Sequence, residues 1–295
     1  MARCRPRPYD CAVNASEEWG HGYQARVILD SVNPAGCRLV TWVLKYPRFI
    51  HAELLTHRQF SRNSSSSRAR PISAMIAEVA HDPVIPVHWG KNQSGMQAQA
   101  ELDQAARDAC RAEWLAARDR AIDATKRLAD LGLHKQVANR VLEPWMWITV
   151  VLSTTTHANF FALRDHPDAQ PEIATLARAM RLALDASTPE LVAAGDWHLP
   201  FLTPDERSLP LATRQAASTA RCARVSYLTH DGAKDLAKDL ALHERLRTSQ
   251  PPHASAFEHG ARATADRERH ANFVGWIQYR HHLPHESAPH EFIAP

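Results

Sequence analysis

The chain has 295 residues, 44% of them hydrophobic and 23% charged, with a formal net charge of +3. These values exclude disorder throughout the chain. The charge excess suits an anion-binding enzyme and is too small to argue for nucleic acid by itself. The longest apolar run, Trp145 to Leu152, falls far short of the roughly 20 residues a bilayer span needs, so no membrane partner is expected. The basic N-terminus has no apolar stretch behind it and is not read as a secretory signal; residues 1–20 are expected to form a flexible arm. The five cysteines (Cys4, Cys11, Cys37, Cys110 and Cys222) show no Cys-x-x-Cys spacing. That argues against a disulfide framework or structural zinc, and for a reducing, cytoplasmic setting.

In chain order, Arg38 to Leu44 alternates as a strand closed by Pro47, which then suits the first turn of a short helix ending near Arg58. The polar stretch from Ser61 to Pro71 lacks apolar periodicity and reads as a loop. Trp114, Ala117, Ala121, Ala124 and Leu128 keep helical spacing, which predicts one long amphipathic helix from Gln97 to Leu131, stopped by Gly132. A shorter helix follows over His134–Leu142, with Pro144 after it. Further helices are expected from Pro171 to Leu184, after the Thr188–Pro189 pair, from Ala212 to Arg221 and from Ala233 to Arg247, with a Pro-rich loop between Gly195 and Leu211. The pattern is helix-rich with few strands.

Three constellations carry chemistry. Thr56 to Arg70 supplies serines, an asparagine and arginines without one acid. Hydroxyls and guanidinium forks of that kind suit a phosphate or nucleotide; a flexible, solvated or RNA-binding tract is the competing reading. Arg164 follows Phe160, Phe161 and Leu163, which would anchor it and aim it into a site, whereas the plainer alternative is a helix-capping surface arginine. His253 to Gly260 carries two histidines and a glutamate but not the His-Glu-x-x-His pattern, and His281, His282, His285 and His290 read as a polar tail, so no metal is expected.

The residues Thr56-His57-Arg58, Ser61, Asn63, Ser66 and Arg68 resemble the fingerprint of the flavin-dependent thymidylate synthases, and so does the block Asn159-Phe160, Leu163-Arg164, Ala169-Gln170, Glu172-Ile173, with Arg140 before it. Ala223 to Tyr227 and His253 to His259 resemble the segment that opens the family's usual order, so residues 222–295 look permuted to the end. The resemblance implies an α/β (α+β) fold with a curved, mainly antiparallel sheet and long helices. It implies one domain over 1–295 and a homotetramer whose active sites are shared between subunits.

The implied reaction is C5-methylation of dUMP and/or UMP. Methylenetetrahydrofolate is the carbon donor, FAD carries hydride and NADPH reduces it. Arg164 would be catalytic, stabilising charge on the pyrimidine. Glu53, Ser64, Ser66, Ser67, Arg68 and Arg140 would bind substrate with it. Thr56, His57, Arg58, Asn63, Ser64, Ser153, Thr155, Asn159 and Ser255 would bind the flavin. No enzyme nucleophile is implied, in keeping with cysteines that sit in no motif with a base. Departures from the family pattern at Thr56, Ser64, Ala69 and Glu53 bear on the choice of nucleotide, and Arg280 could replace the arginine missing at Thr56. UMP-using members serve nucleoside-antibiotic pathways. A pyrimidine hydroxymethylase or dCMP-acting relative is one alternative. A non-catalytic nucleic-acid-binding protein is the other, and the first reading expects no nucleic-acid partner.

Overall fold

The structure, a computed structural model, describes residues 22–225, 235–249 and 253–283; the expected arm, Ser226, Tyr227, His285 and His290 lie outside them. Strand β1 (Gln24–Val32) turns at Asn33–Gly36 into the antiparallel β2 (Arg38–Pro47), with Gly36 at φ +79°. A 3-10 turn over Arg48–Ile50 leads into α1 (His51–Leu55), and β3 (Ser61–Ser64) follows. Next come α2 (Ile72–His81), α3 (Gln104–Asp130) and α4 (Lys135–Ala138), which runs into a 3-10 segment, Asn139–Trp145. Then come β4 (Trp147–Thr154), α5 (Ala158–Arg164) and α6 (Pro171–Asp185). After the short β5 (Glu190–Leu191) and β6 (Trp197–His198) lie α7 (Leu211–Arg224) and α8 (Leu236–Thr248). Four short strands close the described chain: β7 (Ala261–Ala263), β8 (Arg269–His270), β9 (Phe273–Val274) and β10 (Trp276–Gln278).

The main sheet has the order β3-β4-β2-β1-β5, antiparallel except at the β1–β5 edge. Its central strands β2 and β4 are almost wholly buried because both faces are covered, which explains their near-continuous apolar runs. One face carries Val40, Trp42, Leu44, Val150 and Leu152 against Phe160 and Phe161 of α5 and Ile173, Leu176 and Met180 of α6. The other face presents Val43 and Val151 to Cys222 of α7 and to Val225. A second core joins Met75 and Val79 of α2 to Ile122 of α3, Leu142 and Trp145.

A third core fixes the small sheet β10-β7-β6 to the first hairpin through Cys37, Leu39, Phe273 and Trp276. Asn33 staples this joint. Its Nδ2 donates to the carbonyls of Thr264 (3.0 Å), Asp266 (3.1 Å) and Gly275 (3.0 Å), while its Oδ1 accepts the Cys37 N–H at 2.7 Å. Gly275 sits at φ +73°, and a Cβ there would lie 2.5 Å from Asn33 Nδ2 and 2.8 Å from Cys37 Cβ, so only glycine fits both the torsion and the space.

Several expectations are corrected. Ser61–Ser64 is not loop but an edge strand paired with β4, because the backbone partner, and not side-chain pattern, decides an edge. Ser61, Ser65 and Ser67 are buried, which excludes a flexible solvated tract. The long helix starts at Gln104, where the Asp103 carboxylate accepts the Ala106 N–H at 2.9 Å, and not at Gln97. The helix expected to reach Arg58 stops at Leu55, and Pro144 lies inside the 3-10 segment that replaces most of the His134–Leu142 helix. The Thr188–Pro189 pair opens no helix; Glu190–Leu191 pairs parallel with β1 instead. The loop Gly195–Leu211 contains β6, and with ten strands among the described residues the chain is not strand-poor. Among those residues no helix is long and apolar enough to cross a membrane.

Candidate active site

Arg164 ends α5, and its place follows from the apolar turn before it. Phe160 and Phe161 are buried and pack edge-on to one another, although Leu163 is exposed and anchors nothing. The guanidinium Nε–H donates to His57 Nε2 at 3.0 Å, Nη2 lies 3.4 Å from Thr56 Oγ1, and Nη1 lies 3.6 Å from Glu53 Oε2. Accepting that bond makes His57 neutral, with its proton on Nδ1. Burial, Arg164 and Arg62 all push the imidazole below its ordinary pKa, so it stays neutral and cannot neutralise an anion itself. The His57 ring stacks on Phe60 and meets Phe160 edge-on. Arg62 holds the turn from the other side, donating to the Phe60 carbonyl at 2.5 Å. One arginine is therefore fixed in geometry by a neutral ring and faces a single carboxylate.

The serine-rich turn forms a second group. The Arg68 N–H donates to Ser66 Oγ at 3.3 Å, and Asn139 Nδ2 donates to the Ser67 carbonyl at 2.7 Å. Glu143 is the counter-ion here. Its Oε1 accepts Arg140 Nη1 at 2.8 Å and Ser67 Oγ at 3.4 Å, and Arg48 Nε lies 3.0 Å from the same oxygen.

Behind β3 lies a polar wall built by the C-terminal segment. Asn63 Nδ2 donates to the Cys222 carbonyl at 2.8 Å, and Ser255 Oγ reaches Asn63 Oδ1 at 3.4 Å. Gln278 Nε2 donates to Ser61 Oγ at 2.8 Å. Further in, a buried chain of hydrogen bonds links Ser31 Oγ, His198, Thr41 Oγ1, Ser153 Oγ and His259 Nδ1 at 2.8, 2.8, 2.6 and 2.9 Å. Complete burial holds both histidines down to a pKa of about 3, so the chain is neutral. His259 Nε2 is buried without a hydrogen-bond partner.

The expected site residues therefore fall into groups. Glu53, Thr56, His57 and Arg164 meet, as do Asn63 and Ser255, while Ser67 and Arg140 are joined only through Glu143. Ser153 is fully buried with both hydroxyl contacts internal, and Thr155 Oγ1 accepts the Val274 N–H at 2.9 Å. Ser64 is half-buried in β3. Arg58, Arg68 and Asn159 are exposed, and their side chains make no hydrogen bond or ion pair among the described residues. Arg280 pairs with Glu258. Glu143, Arg62 and the buried histidines were not foreseen. Glu143 was the detectable one, lying three residues after Arg140 on a helical turn.

The family model described as thymidylate synthase complementing protein matches residues 37–190. The chain belongs to that family. The match takes in the serine-rich turn, Arg140 and Arg164, and membership makes the chain an enzyme of the methyltransferase type. No curated protein matches it. Among solved structures it is similar to the UMP/dUMP methylase PolB from Streptomyces cacaoi bound with 5-Br UMP. There the TM-score is 0.47 and the identity 18%, over 56% of this chain and 89% of that one. With PolB bound with 5-Br dUMP the TM-score is 0.42 and the identity 23%, over 50% of this chain and 66% of that one.

Proposed function

We propose that this thymidylate synthase complementing protein family member methylates carbon 5 of a uridine monophosphate, UMP or dUMP, with methylenetetrahydrofolate as carbon donor. One observation carries the reading: the Arg164–His57 contact unites the two sequence blocks that resemble the flavin-dependent enzymes. The donor set fits a flavin dinucleotide, since Arg58 and Asn159 are exposed with side chains free of internal partners and His259 Nε2 is a buried donor or acceptor without one. His57, Arg58, Asn63, Asn159 and Ser255 would hold it, with Thr56, Ser64, Ser153 and Thr155 around them. FAD, once reduced by NADPH, supplies the hydride.

Arg164 meets the charge that develops on the pyrimidine when carbon 5 becomes nucleophilic, a contact worth on the order of a few kcal/mol. The neutral His57 fixes the guanidinium plane without quenching its charge. Glu53 and Ser64 border the base and sugar, and Ser66, Ser67, Arg68 and Arg140 take the phosphate, Arg68 as a free fork. The reading includes a homotetramer with sites completed between subunits, and a curved sheet.

The test is turnover. Protein loaded with FAD and given NADPH and methylenetetrahydrofolate should convert UMP or dUMP into a product one methylene heavier. A product that retains an extra oxygen would indicate hydroxymethylation, and a protein that takes up no FAD would sink the reading.

A further inference from the structure

Two hydrogen-bond donors converge on one oxygen of Glu143, Arg140 Nη1 at 2.8 Å and Ser67 Oγ at 3.4 Å, and Arg48 Nε lies 3.0 Å from the same oxygen as an ion pair without a hydrogen bond. Two cations and a hydroxyl around a single anionic oxygen are the coordination an oxygen of a phosphate monoester takes. Arg48 and Glu143 are mostly sheltered, with side-chain exposures of 16% and 29%, while Arg140 is half open at 50%. Arg140 can therefore reach an incoming anion, and Arg48 is the fixed part of the seat. The Ser67 backbone is pinned from behind, because its carbonyl accepts Asn139 Nδ2, and its hydroxyl is left to turn toward whichever anion takes it.

We propose that Glu143 is an internal competitor for the phosphate seat: its carboxylate and the phosphate of a nucleotide bid for Arg140 and Ser67, and binding requires Glu143 to let go. This rests on the reading of Arg140 and Ser67 as phosphate ligands. It assigns a specificity role to Glu143. A dianionic phosphate displaces a single carboxylate, whereas a neutral nucleoside cannot. The carboxylate thereby keeps weakly charged ligands out and lowers the affinity for the correct one. Glu143 acts through Arg140 and is a positioning residue.

The experiment is a phosphorus NMR titration of inorganic phosphate, with calorimetry for UMP, dUMP and uridine, on wild type, Glu143→Gln and Glu143→Gln/Arg140→Ala. Removing one competing charge should tighten phosphate binding about tenfold or more, since a factor of ten is only about 1.4 kcal/mol. Uridine binding should not change, and the gain should vanish in the double variant. Unchanged or weaker phosphate binding by a Glu143→Gln protein with native circular dichroism would overturn the proposal, because Glu143 would then be organising Arg140 rather than competing for it. Should Glu143→Gln fail to fold, Glu143→Asp, with its carboxylate drawn back by one methylene, must show the same sign of change. Tighter phosphate with no binding of either uridylate would leave the Glu143 role standing and bring down the substrate reading instead.

Discussion

At the scale of single residues, Arg164 is the sharpest case. Its charge is set against neutral His57 and a glutamate 3.6 Å away, so it retains positive charge for a ligand. Arg164→Ala should cut methylation by about a hundredfold or more while FAD binding, read from the visible absorbance, is retained. Arg164→Lys should recover little, since an ammonium cannot keep the planar contact with His57 while facing the pyrimidine. Equal activity in the alanine variant would remove Arg164 from the chemistry. The buried histidines give a stability prediction. His198 and His259 are lowered from an ordinary 6.5 to about 3, and His51 to about 4, chiefly by burial. The unfolded chain takes up these protons and the folded protein refuses them. Stability is therefore full above pH 6.5 and falls as pH drops from there toward 3, by on the order of 1 kcal/mol per pH unit for each histidine. Urea midpoints at stepped pH should show this slope, and His259→Asn should flatten it; a midpoint independent of pH would contradict it.

At the scale of elements, the joint between the first hairpin and the small sheet is the place to press. Gly275→Ala forces a Cβ to within 2.8 Å of Cys37 Cβ at a positive φ, and should destabilise by about 2–4 kcal/mol in urea unfolding. Asn33→Ala should cost about 1–3 kcal/mol by stranding buried carbonyls, and the two losses should not add, because both act on one contact. What was legible here followed from periodicity. The strand near Arg38 and the helix from Pro171 stand in the structure because each buries a continuous apolar stripe, and the Gly132 stop stands because glycine takes a φ of +83° there. β3 was hidden, because Ser, Arg and Asn in sequence look like loop and only the β4 backbone makes them a strand. That Arg164 and His57 belong to one site was implied by the family resemblance, and Glu143 was detectable three residues after Arg140, but Glu258 was not, because its partner Arg280 lies 22 residues away. The shortened α1 was equally invisible: Leu54 is buried, but Leu55 beyond it is exposed and the chain turns back under Arg62.

At the scale of the whole molecule, the proposed shared-site homotetramer would make inactive subunits rescue one another. Mixed Arg164→Ala and Arg140→Ala proteins, unfolded and refolded together, should regain up to about a quarter of wild-type turnover if each site draws these arginines from different chains, the share expected from random pairing in a closed oligomer. Simple dilution of two dead enzymes would indicate that each site takes both from one chain. Sedimentation would supply the subunit number independently.

The Asn33 staple also imposes an order of events on synthesis. Its carboxamide is satisfied by carbonyls that lie 231 to 242 residues further along. A nascent chain on the ribosome that has already exposed β1 and β2 must keep that hairpin end unsealed until residue 275 has left the exit tunnel. Contacts of such separation slow folding and leave apolar edges uncovered meanwhile. Translation pauses, or chaperones that shelter the waiting hairpin, should therefore affect the yield of this protein more than any change confined to its surface helices.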